Sequence, residues 1–334
     1  MRCAGKLKNK NCKKLKLCYF IKIVVDNLFV FAKKYLEKIM HLKFFVAAVM
    51  LLSSIIAALA SGQISARQAF RTAVEKQPDA FRKYLDDKDP EIRRYALYLL
   101  VKKDGVKAIP QLAKAIDDND VYVQFTAAEA LAGLAKKAPK EVQPLLEKVA
   151  ANAKNNDIRH VAVKASWPFQ REIKLLRNDP TWDYEVVVVK TLDLPTKGWN
   201  FITDPRQNGH NKGYFKPRFN DKNWRKMDMG YWEFQGVEDY DGVAWYRIKF
   251  RMPEKMDHNA VEIIFDGVDE SAWVWLNGKY LGCHDEGQEG VGKRFAVDCT
   301  KEVAWGQENV LAVRIGDTAN AGGITKPVHV EILK

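Results

Sequence analysis

Apolar residues along this chain follow three successive patterns. Residues 44–60 form a run without charge that is apolar apart from Ser53 and Ser54. Over 65–177, apolar positions recur three and four apart, the spacing that lines one face of a helix. From Tyr184 onward the period drops to two. In 243–252, Tyr246, Ile248, Phe250 and Met252 alternate with Trp245, Arg247, Lys249 and Arg251. The runs 185–194, 260–266, 272–276, 279–283, 293–298, 310–315 and 328–333 are also strand-like and are separated by Gly, Asn and Asp turns. Many short strands at such spacing predict an antiparallel sandwich. The fold class is therefore multidomain α + β, a helical array followed by an all-β sandwich, joined at 178–181.

The clearest single signal is Ala272-Trp-Val-Trp-Leu-Asn-Gly-Lys-Tyr-Leu-Gly282. Asn277-Gly278 between apolar runs predicts a two-residue hairpin, because a type I′ turn needs positive φ at both central positions. Strand alternation places Ala272, Val274 and Leu276 on one face, and Trp273 and Trp275 on the other. The aliphatic row suits a core. The tryptophan row is either covered or open to a ligand.

The helical part repeats. Leu85-Asp-Asp-Lys-Asp-Pro-Glu-Ile-Arg93 recurs 31 residues later as Ile116-Asp-Asp-Asn-Asp-Val-Tyr-Val-Gln124, and a weaker copy at 156–159 follows after another 35. In register, Ala96, Ala127 and Ala162 are small residues that let helices approach. The acidic residues and Pro90 suit helix starts, since Asp accepts orphan N–H groups and Pro is tolerated in the first turn. The segment resembles a short HEAT-like array, although its period is below the usual ~40–47 residues. That resemblance implies a surface for a protein partner; a generic helical bundle is the alternative.

The net charge of +12 suggests a nucleic-acid partner until it is located. Residues 1–60 hold 12 Lys and Arg against Asp26 and Glu37, which leaves the remainder at 42 basic and 40 acidic residues. The folded part is nearly neutral and lacks a basic stripe, so nucleic acid is excluded. Met40-His-Leu-Lys43, the apolar run and Ala58-Leu-Ala60 form a signal-peptide pattern over 40–60. The run is short for a membrane span of ~20 residues. Export to the periplasm or outside the cell is expected, with no stable span after cleavage and with 1–39 a basic leader upstream of a start at Met40. A retained anchor is the alternative. Of the five cysteines, Cys283 and Cys299 lie in the sandwich, where they are a possible disulfide pair or two buried thiols.

Five segments in order carry a further resemblance: Gly198-Trp-Asn-Phe-Ile-Thr-Asp-Pro205, Phe219-Asn-Asp-Lys-Asn-Trp224, Tyr240-Asp-Gly-Val-Ala-Trp-Tyr-Arg247, Trp275-Leu-Asn-Gly-Lys279 and Gly306-Gln-Glu-Asn-Val-Leu311. Together, 184–334 resembles the galactose-binding-like jelly-roll "sugar-binding" domain of family 2 glycoside hydrolases. In that family the catalytic carboxylates sit on a separate barrel of ~250 residues. The sequence printed ends at Lys334, so the expectation is a non-catalytic accessory domain with no cofactor. No catalytic residue is assigned.

Sugar rings present apolar faces that aromatic side chains remove from water, while polar neighbours bond the hydroxyls. The candidate carbohydrate-binding residues are therefore Trp245, Trp273, Trp275, Trp232, Tyr240, Asp241 and Arg247, with His284 and Asp285 on an adjoining loop. That loop, with Glu286 and Glu289, is also where a structural calcium ion is possible. His210, His258 and His329 are scattered and assigned no role. An exported carbohydrate-binding protein with a protein-interaction module is the leading expectation. A scaffold that binds no glycan and a family 2 accessory subunit are the alternatives.

Overall fold

In the computed structural model, residues 66–166, 186–318 and 320–334 are described. They lie in one compact unit, Gln63–Lys334. The leader, the signal-peptide pattern and the 178–181 linker fall outside the described residues. No helix among the described residues is long and apolar enough to cross a membrane.

The array begins with α1, over 66–76. It continues with α2 (Pro90–Asp104), α3 (Ile109–Ala115), α4 (Val121–Leu134), α5 (Pro139–Asn152) and α6 (Asn156–Ser166). The repeated motif sets where α2, α4 and α6 start. Asp89 caps α2 by accepting from the Glu91 N–H, and Asp120 caps α4 by accepting from Tyr122 and Val123. At the third copy, Asn155 accepts from Asp157 at 2.8 Å. Such caps contribute about 1 kcal/mol each. Arg93 reaches from α2 to Asp118 at 2.7 Å, tying one repeat to the next. Ala96, Ala127 and Ala162 are fully buried, as their register predicts.

The sandwich has two antiparallel sheets. The strands are β1 (Val188–Asp193), β2 (Trp199–Thr203), β3 (Arg225–Met227), β4 (Gly230–Tyr231), β5 (Val243–Arg251), β6 (Ala260–Phe265), β7 (Ser271–Leu276), β8 (Lys279–Asp285), β9 (Phe295–Asp298), β10 (Glu308–Gly316), β11 (Gly323–Ile324) and β12 (Val328–Leu333). One sheet runs β1-β12-β6-β9, the other β3-β2-β5-β10-β7-β8, and β11 pairs with β4. Residues facing between the sheets form the core, including Ala272, Val274 and Leu276 with Tyr246, Val261, Val313 and Ile332. Asn277 and Gly278 turn the β7–β8 hairpin at φ 52° and 80°, as predicted.

The disulfide expectation is corrected, because Cys283 and Cys299 are both free. Cys283 pairs with Trp273 across the hairpin and packs on the outer side of its sheet. Cys299 lies in the core between the sheets. A sheet layer separates the two thiols.

Candidate functional site

The outer face of the six-stranded sheet holds a row of large side chains. In register across β5, β10 and β7, Arg314 sits between Trp245 and Trp273, and Ala312 between Arg247 and Trp275. On the adjoining strand, Tyr280 pairs with Trp275. Trp273, Trp275, Arg314 and Tyr280 face α2, α4 and α6, whereas Trp245 and Arg247 lie against the 204–221 segment. Trp245, Trp273 and Trp275 are all at 0% exposure.

Aromatic side chains of α4 cover that row. Tyr122 meets Trp273 edge-on at 5.0 Å, and Phe125 stacks on Tyr280 at 4.2 Å. Trp275 is also covered by Phe215, stacked at 5.5 Å. Its indole N–H donates to Asp157 of α6 at 3.2 Å, which gives the buried ring a polar partner. Trp245 donates to Asp204 at 3.1 Å, and Asp204 also accepts from the backbone of Asn208 and Gly209. Gly209 opens α7 (Gly209–Lys212), and a Cβ there would meet the Trp245 ring nitrogen at 2.5 Å.

Charge threads through the same seam. Glu91 of α2 accepts from Arg94 at 2.6 Å and from Arg314 of β10 at 3.1 Å, all three buried. Burial pushes the Glu91 carboxyl up in pKa, but Arg94, Arg314 and Arg67 more than offset this and hold it well below the carboxylate range. The Arg314 guanidinium also lies 3.5 Å from the Tyr122 ring centre and 4.4 Å from that of Trp273. Arg94 forms an ion pair with Asp285, which accepts from Thr126 of α4 at 2.6 Å and from Ser271 at 3.0 Å. Arg71 of α1 reaches Glu270 at 3.1 Å. At the exposed edge Lys102 pairs with Glu289. The seam holds a cavity of about 20 Å³ beside Arg71, Tyr95 and Glu270, room for about one water.

Most of the proposed sugar ligands are therefore corrected. Trp245, Trp273 and Trp275 lie under helices, out of reach of a sugar ring. Arg247 is buried against Asp221 at 2.7 Å. Trp232 is in the sandwich core, where its indole donates to the Tyr240 carbonyl at 3.2 Å. His284 is buried, stacked on Phe295 at 4.7 Å. Asp285 belongs to the seam. In the loop that carries it, Glu286 pairs with Lys293 at 2.7 Å and Glu289 with Lys102. Tyr240 and Asp241 remain half-buried. Burial raises the Asp241 carboxyl, with Arg71 and Arg67 opposing. Sequence reasoning missed Glu91, Arg94, Arg314, Tyr122 and Phe125. The one available signal was Arg314, a lone charge inside the apolar strand Val310–Ile315.

The chain's relatives agree with this architecture. Residues 78–166 match the HEAT-repeat family model, and 209–321 match the model described as the beta-galactosidase second all-beta domain. The sandwich thus resembles a galactosidase-type all-β domain. It follows a HEAT-repeat array, the arrangement that the ordered motifs predict. Beta-galactosidase BoGH2A of Bacteroides ovatus is 31% identical over 113 residues, 30% of this chain and 13% of that protein. A beta-galactosidase of Thermoanaerobacter pseudethanolicus is 37% identical over 79 residues, 23% of this chain and 10% of its own length. The match thus spans about a tenth of each of these curated relatives. Among solved structures, a Lactobacillus rhamnosus beta-glucuronidase aligns at 22% identity over 45% of this chain and 30% of that one, with a TM-score of 0.38.

Proposed function

We propose that this protein is an interaction scaffold in which the galactosidase-type domain is a fixed partner of the HEAT array rather than an open sugar-binding face. One observation carries the reading: Trp273 and Trp275 are at 0% exposure, met by aromatic and charged side chains of α2, α4 and α6. HEAT-type arrays use their stacked helices to hold other proteins. Here the inner helices hold the protein's own sandwich, and the outer helices α3 and α5 face a separate protein partner. Export, on the 40–60 pattern, is part of the proposal.

Carbohydrate binding is the second reading. It is favoured by the match to proteins named beta-galactosidase and is confined to the half-buried pair Tyr240 and Asp241 at the loop end. The test is retention of the protein on immobilised galactosides, glucosides and uronides, beside cross-linking capture of partners in the native host. The scaffold reading expects no retention and a reproducible protein partner. Retention that Tyr240→Ala or Asp241→Asn abolishes would overturn it in favour of the second reading.

A further inference from the structure

The outer side of the array holds a groove of about 510 Å³ between α3 and α5, inside the ~300–1,000 Å³ range of ligand pockets. The two helices differ in length. The seven residues of α3 extend about 10 Å and the fourteen of α5 about 21 Å at 1.5 Å per residue. The C-terminal half of α5 and the turn at 116–119 line the groove. Leu131 of α4, Ile116, Leu145 and Val149 make an aliphatic floor.

The two walls carry opposite charge. Asp117, Asp118 and Asn119 stand at the end of α3, and Lys148 and Lys154 at the end of α5. Arg93 occupies Asp118 and Asn119. Asp117, Lys148 and Lys154 carry no ion pair among the described residues. All three line the groove.

We infer that this groove takes an amphipathic segment of a protein partner, whose apolar side chains fill the aliphatic floor, with Lys or Arg beside Asp117 and Asp or Glu beside Lys148 and Lys154. The inference rests on the scaffold reading and names the surface and the chemistry it requires. Charge complementarity selects this occupant. A polyanion would leave Asp117 without a partner and a polycation would leave Lys148 and Lys154 without one, and a floor without aromatic rings offers a sugar no stacking face. An apolar stripe laid into a groove, with charges fixing its direction, is an established mode of peptide recognition.

The experiment selects peptides on the whole protein from a phage-displayed random library and measures their binding by fluorescence polarisation. The expected consensus is basic, apolar, acidic. Asp117→Lys and the pair Lys148→Glu with Lys154→Glu should each weaken binding about tenfold, some 1.4 kcal/mol. A peptide with its acidic end made basic should recover binding to the lysine-swapped variant. Circular dichroism and melting of the variants show that these exposed changes leave the fold intact. A consensus that binds all variants equally overturns the groove but leaves the scaffold standing. Absence of a consensus, with a native partner still captured by the whole protein, does the same. Absence of both overturns the two readings together.

Discussion

Glu91→Gln tests whether the seam is held by charge. Glu91 faces two buried guanidiniums, Arg94 at 2.6 Å and Arg314 at 3.1 Å. Arg94 keeps Asp285 when the carboxylate is lost, whereas Arg314 keeps chiefly the faces of Tyr122 and Trp273. One buried positive charge is thus left without a counter-charge. Breaking a buried pair from one side costs about 3–5 kcal/mol. With one pairing retained and the side-chain shape preserved, the expected loss is at the lower end, about 3 kcal/mol. The assay is urea unfolding followed by tryptophan fluorescence, since Trp245, Trp273 and Trp275 line the seam. The folded carboxyl lies well below its ordinary range, so its contribution is complete above the unfolded value of about 4.3 and fades as acid protonates it. The gap between the two proteins should be full at neutral pH and shrink below about pH 4. Replacing the pair together, Glu91→Met with Arg314→Met, should recover most of the loss, because it removes both desolvated charges. A gap under about 1 kcal/mol at neutral pH, or one that stays constant into acid, refutes the reasoning.

Further outcomes follow from the same seam. Burial, with Arg314 and Lys216 adding repulsion, lowers His210 to about 4. The neutral ring is favoured in the fold, so stability is full above about pH 6.5 and falls by roughly 3 kcal/mol as pH drops toward 4; His210→Gln should flatten that slope in urea midpoints taken across the window. Trp275→Ala should cost about 3–5 kcal/mol, while Trp275→Phe, which mainly loses the hydrogen bond to Asp157, should cost about 1–2 kcal/mol in the same unfolding assay. Reduction should leave the melting temperature unchanged, and mass spectrometry after alkylation in denaturant without a reductant should find both Cys283 and the buried Cys299 modified, since the two thiols are separate.

Periodicity made much of the fold legible. The Asn277-Gly278 turn, the inward row Ala272, Val274 and Leu276, and the capping aspartates Asp89 and Asp120 follow from local rules that tertiary context did not override. The same parity put Trp273 and Trp275 on the outer face, but a period of two says which side a residue faces and nothing about what lies above it. The partners that cover the face are far away in sequence, Tyr122 and Phe125 on α4 and Asp157 on α6. The ion pairs are more remote still. Arg94 and Asp285, or Glu91 and Arg314, join chain positions that no spacing rule connects. His284 and Asp285 look alike as neighbours in a polar loop, yet alternation sends one into the sandwich and the other into the seam. The cysteines fail for the same reason, since nearness along a hairpin said nothing of the sheet between them.

The composition of the seam bears on how the two halves function together. An aromatic row alone adheres to any apolar surface of fitting shape, because hydrophobic burial is not directional. Arg314, Arg94 and Arg71 change that, as each needs a carboxylate at a fixed place on the opposite side: Glu91, Asp285 and Glu270. A register slip of the array on the sheet would leave several buried charges unpaired at once, a cost of several kcal/mol. Gly287 tightens the match, since its φ of 57° suits glycine and a Cβ there would meet the Tyr95 ring of α2 at 2.4 Å. The aromatics therefore supply adhesion and the ion pairs supply a single docked geometry. A scaffold requires that geometry, because only a fixed array presents the walls of α3 and α5 to a partner at one constant spacing.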